Sequence, residues 1–157
     1  MSGGDTMRNV VIHWAYPMEI DHILSDVRMS DIGLYYITRS WGGKSSDLYI
    51  GKTTYSYKSR LESHWWYWLD EYRGKKYVRL GTITSPKRLR EDQLKQLIND
   101  VEMTLIFCCR EELIHNQMCT QSCNPSQRLH IFNTGWRGNL PAEVYVPDEE
   151  WVESKLS

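Results

Sequence analysis

Long apolar runs are missing from this chain. No stretch of the 157 residues approaches the ~20 apolar residues that span a bilayer, and no basic segment followed by an apolar core opens it. A soluble, cytoplasmic protein is therefore expected. Basic charge is scarce too: 19 Lys and Arg stand against 20 Asp and Glu, a formal net charge of -1. A nucleic-acid binder gains affinity by displacing counterions from phosphates and is usually basic. Any such role here has to rest on local patches, on a second copy of the chain, or on a partner protein that supplies basic surface. Phenylalanine is nearly absent, with two residues against ten Tyr and seven Trp. Rings that carry a polar handle suit half-wet surfaces. The four cysteines form no secreted disulfide framework, because Cys108 and Cys109 are adjacent. His115, Cys119 and Cys123 are zinc-ligand types, but their spacing matches no common knuckle, and reduced thiols are expected.

There is no internal repeat and no low-complexity linker, so residues 1–157 read as one domain. Residues 9–16 (NVVIHWAY) are β-branched and aromatic and predict a strand, with His13 packed in it. Residues 19–29 predict a short helix, which completes a leader over 7–32. Residues 34–37 and 48–50 are rich in Tyr and Ile and flank a polar segment, the pattern of a β-hairpin. A helix capped by Thr53 or Thr54 follows, with Leu61, Trp65, Trp68, Leu69 and Tyr72 at a period near 3.6. Four successive aromatics, Trp65 to Trp68, surround that helix. At least Trp66 or Tyr67 must then be exposed or be covered by another segment, and cover by the leader or the C-terminal segment is the expectation. Gly74 breaks the pattern, residues 76–84 alternate as a third strand, and residues 89–112 carry a second helical stripe through Leu94, Leu97, Ile98, Val101, Leu105 and Cys108. The result is an α/β (α+β) fold of order β-β-α-β-α, with a small antiparallel three-stranded sheet flanked by helices. Residues 117–157 form a C-terminal extension with edge strands at 129–132 and 144–146.

Chemistry-bearing residues concentrate between 33 and 116. Arg60 and His64 lie one helical turn apart. Tyr35 and Tyr49 stand on the two hairpin strands. Glu102 sits at the edge of a buried stripe, where a carboxylate is costly unless it is paired or binds a cation.

Gly33-Leu34-Tyr35, Tyr49-Ile50-Gly51, Arg60, His64, Glu102 and a late Asn116 occur in the order of the GIY-YIG nuclease superfamily, which residues 33–116 resemble. The second triplet matches fully, and the first has Leu34 for Ile. Glu102-Met103-Thr104-Leu105-Ile106 is similar to the context of the family's metal-binding glutamate. Asn116 lacks the usual preceding Pro, and Asn124 competes for its place. The resemblance implies a metal-dependent endonuclease that hydrolyses phosphodiester bonds of DNA with one Mg²⁺ or Mn²⁺ on Glu102. Tyr35 would activate or position the water, with Tyr49, Gly51, Lys52 and Asn116 in support. Arg60 and His64 would serve the phosphate and proton transfer. RNA cleavage, or a catalytically silent nucleic-acid-binding or protein-interaction module on the same scaffold, are the alternatives.

Overall fold

Strand β3 (Gly33–Trp41) is buried on both faces from Gly33 to Thr38, and this sets the layers of the fold. Successive side chains of a strand point to opposite faces. Leu34 and Tyr36 therefore pack on one side with Leu97, Val101 and Leu105 of a long helix. Tyr35 and Ile37 pack on the other with Tyr57, Leu61 and Leu69. The computed structural model describes residues 6–116 and 124–151.

Before β3 come β1 (Arg8–Trp14), the two-residue β2 (Met18–Glu19) and the single-turn α1 (Ile20–Ile23). After it come β4 (Lys44–Thr53), α2 (Tyr57–Tyr67), β5 (Lys75–Ser85), α3 (Glu91–Cys108), β6 (Leu129–Gly135) and β7 (Glu143–Tyr145). The fold is mixed α+β, and the order β-β-α-β-α does run through β3, β4, α2, β5 and α3. The three-stranded sheet, however, is a correction. The sheet has seven strands in the order β4-β3-β5-β1-β6-β7, with β2 also on β5. The cause is the length of β5. One edge pairs with β3 antiparallel over Lys75–Gly81, while the other edge takes β1 and β2. β1 then pairs parallel with β6 from Arg8↔Leu129 to Trp14↔Gly135, so both the leader and the extension join the same sheet. β6 is an interior strand, and only β7 beyond it lies at that edge.

Local corrections have local reasons. Ser56, not Thr53 or Thr54, caps α2 by accepting from Ser59 N, while the Thr53 hydroxyl accepts from Tyr55 N and Ser56 N and shapes the turn before it. α2 stops at Tyr67, and Trp68 leads into a 3-10 turn over Leu69–Glu71. Residues 19–29 hold β2, α1 and the start of a 3-10 turn at Val27–Ser30 rather than one helix. α3 ends at Cys108, short of residue 112. His13 is exposed on β1, not packed. Trp66 and Tyr67 are 82% and 80% exposed, so no described segment covers them. Cys119 and Cys123 lie outside the described residues. Among the described residues no helix is long and apolar enough to cross a membrane.

Candidate active site

β4 ends the sheet, and its outer edge would present free backbone groups. Backbone and side-chain groups of residues 114–116 cover that edge, with Glu102 beside it. His115 N donates to Leu48 O at 2.8 Å. Asn116 straddles the Ile50 peptide, accepting from Ile50 N and donating to Ile50 O, both at 2.8 Å. Glu102 lies near the Lys52 backbone N–H, which lowers its pKa. The amide of Asn116 thus acts as a one-residue strand partner at the centre of the Tyr49-Ile50-Gly51 triplet. That bracing places Glu102 and Asn116 in line along β4, although α3 packs on the face opposite α2.

On the α2 face the two hairpin tyrosines lie nearly parallel, with ring centroids 6.0 Å apart. Gly51 makes this possible. A Cβ there would stand 2.5 Å from Tyr35 Cζ and Oη and 2.6 Å from Tyr49 Cε1, so any larger residue would have to displace the phenols. Tyr35 is fully buried and Tyr49 half-buried. The Tyr35 hydroxyl lies 2.6 Å from His64 Nε2. His64 Nδ1 accepts the indole N–H of Trp68 at 2.8 Å. An indole N–H can only donate, so Nδ1 is an acceptor and the neutral ring carries its proton on Nε2. His64 is therefore a donor to the Tyr35 oxygen.

Burial, with the Arg60 and His115 charges adding to it, brings the His64 pKa down to about 4, so the ring is neutral over the physiological range. Burial raises the Tyr35 pKa, and the neighbouring Tyr49 raises it further, while Arg60 opposes both. Tyr49 is raised by burial and by Glu102, and lowered by Arg60 and by a hydrogen bond from the Tyr35 hydroxyl. Arg60 itself is exposed on α2, with its guanidinium against both phenols.

Glu102 is 4% exposed, and burial pushes its pKa up to about 7 against the pull of Lys52 and Arg60. Its Oε1 is a buried acceptor without a hydrogen-bond partner among the described residues. A desolvated carboxylate oxygen of this kind fits a hard divalent cation. Among the described residues no three His, Cys, Asp or Glu cluster around a point, so such an ion would keep water and substrate oxygens as its other ligands, the habit of magnesium.

The structure thus brings Tyr35, Tyr49, Gly51, Lys52, Arg60, His64, Glu102 and Asn116 into one neighbourhood. Two residues were missed. Trp68 was read only as part of the apolar stripe, although its spacing of four from His64 on a helix was a usable signal. His115, read only as a zinc-ligand type, stacks on Trp68 at 3.7 Å and 11° and bonds the Tyr72 hydroxyl at 3.1 Å. Comparison with protein-family models, with curated proteins and with solved structures finds no match for this chain.

Proposed function

We propose that the chain is a metal-dependent endonuclease of the GIY-YIG type that hydrolyses phosphodiester bonds, with DNA as the substrate. The observation that carries this reading is the convergence of Tyr35, His64 and Arg60 on the neighbourhood of Glu102, whose buried Oε1 has no partner among the described residues. A divalent ion held by Glu102 would supply positive charge at the phosphate and at the leaving oxygen.

The chain's own residues do the rest. Arg60 is exposed and offers a planar fork that matches two non-bridging phosphate oxygens. The Tyr35 oxygen is buried in the free protein and has to be uncovered before it meets the water. That oxygen, as a phenolate, takes the proton of the attacking water, and the Nε2–H of His64 stabilises the negative charge. Tyr49 shares Arg60 and closes the outer side. Gly51 provides the space and Asn116 fixes the strand.

Full burial of Tyr35 favours a second reading, a module that binds nucleic acid without cutting it. One experiment separates the two. Plasmid, single-stranded DNA and RNA are incubated with the protein in magnesium and in chelator, beside Glu102→Gln. Magnesium-dependent cuts that vanish in the variant support the nuclease, and intact substrate in every arm refutes it.

A further inference from the structure

We propose that the substrate strand is unpaired, and that it runs across the α2-facing side of β4 and β3 from Arg60 to Trp41. This rests on the nuclease reading of the site and names its substrate class.

A line of aromatic contacts leads away from Tyr49. His115 lies 6.3 Å from Tyr49, and Tyr72 lies 5.8 Å from His115, all between ring centroids. The Arg39 guanidinium sits 5.3 Å over Tyr72, and that of Arg73 sits 5.8 Å over Trp41. Arg39 and Trp41 project to the same face of β3 as Tyr35, because the side-chain period is two and the bulge in this pair interrupts the register only on the β4 side. From Tyr35 to Trp41 is six residues, or ~20 Å of strand. That is the length of about six stacked nucleotides.

The chemistry along this line alternates planar rings with fixed cations. Trp41 is 53% exposed, and Tyr49, His115 and Tyr72 are each half-buried, so part of each of the four residues reaches the surface. Burial lowers the pKa of His115. Lys52, Arg60, Arg39 and Arg73 form no salt bridge among the described residues, whereas Lys75, Lys95, Arg110 and Arg128 each face a carboxylate. Arg39 Nε is a buried donor without a partner among the described residues. Glu71 is the acidic group that works against the track, since its charge acts on His115.

Rings interleaved with cations are the means by which proteins hold single strands, because every base has a face to stack once it has left its partner. Blunt duplex DNA hides those faces, and a net charge of -1 leaves little general attraction for its phosphates. The strand therefore comes from a single-stranded, flapped or looped region of nucleic acid.

The test uses the whole chain carrying Glu102→Gln, with labelled oligothymidine, oligouridine and a blunt duplex as probes. Oligothymidine or oligouridine should bind at least ten-fold tighter than the duplex, and the tighter of the two assigns DNA or RNA. With four cations, the logarithmic salt slope should be about -3. Adding Trp41→Ala should weaken single-strand binding about ten-fold and leave the duplex unchanged. Trp66→Ala, at an exposed tryptophan on another side of α2, should change neither. Equal losses on strand and duplex, or no loss, overturn the track. If Trp41→Ala loosens the strand while the parent cuts nothing in magnesium, the track stands and the nuclease reading falls. If the parent cuts duplex, Trp41→Ala cuts it as fast, and neither single strand binds, the nuclease reading stands and the track falls.

Discussion

The indole of Trp68 donates to His64 Nδ1 at 2.8 Å, and the opposite nitrogen of the same ring lies 2.6 Å from the Tyr35 hydroxyl. A donor aimed at Nδ1 stabilises only the neutral ring, because protonation there would set two donors face to face. Trp68 therefore acts through His64 as a positioning residue. Trp68→Phe keeps a ring over His115 but removes the N–H. Burial still holds the ring under the ordinary 6.5, but the His64 pKa should rise from about 4 to a higher value, as followed by ¹⁵N shifts in a pH series. Cleavage should gain an acid limb below that value. A His64 titration that stays where it was would show that Trp68 only fills space.

The hairpin, β5 and α3 were legible because period-two and period-3.6 patterns act over a few residues, Arg60 and His64 because they lie one helical turn apart, and Glu102 because it borders a buried stripe. The width of the sheet was not. The β1–β6 pairing joins Arg8 to Leu129, and neither strand's alternation names its neighbour. The site shows the same division. Tyr35 and Tyr49 follow from a local motif, whereas the Asn116 clamp on Ile50 spans sixty-six positions and depends on how residues 114–116 leave α3. The Trp68 bond was masked by an apolar stripe that explained the same residue more simply. The cap at Ser56 was masked by two threonines that could have served as well.

Glu102 gives stability a pH signature with a definite sign. Its folded pKa of about 7 lies above the ordinary 4.5, so between those values the folded state holds a proton that the unfolded state has released. Stability from this group is full below pH 4.5 and is lost as pH rises through about 7, at most ~3 kcal/mol. His64 works the other way, since its depressed pKa costs stability as pH falls from 6.5 toward about 4. The comparison of parent with Glu102→Gln isolates the carboxylate. In chelator the variant should gain on the parent between pH 5 and pH 8 in denaturant unfolding, and magnesium should restore the parent at the alkaline end. Parallel stability curves would refute the buried, unpaired carboxylate.

Asn116→Ala strips the Ile50 peptide of both partners. Leaving a buried backbone donor unsatisfied costs ~1–3 kcal/mol, and the edge at Tyr49 and Gly51 should loosen with it. Hydrogen exchange of the Ile50 amide should speed up more than that of Val10 on β1. Uniform loss across the sheet would make Asn116 a general stabiliser and not a local clamp.

Tyr35→Phe should cost more activity than Tyr49→Phe. Each change removes one hydroxyl and leaves a ring to pack, but only Tyr35 Oη receives the His64 N–H. Loss of a general base costs ~10²–10⁴ in rate. The same substitution leaves the His64 N–H without its acceptor, at ~1–3 kcal/mol of stability. Unfolding midpoints must therefore be read beside the rates. Burial raises both phenols, so the rate with magnesium should climb through the alkaline range as the Tyr35 proton leaves. A rate already flat above the His64 pKa of about 4, together with equal and modest losses in the two variants, would take the base role from Tyr35 and give it to His64.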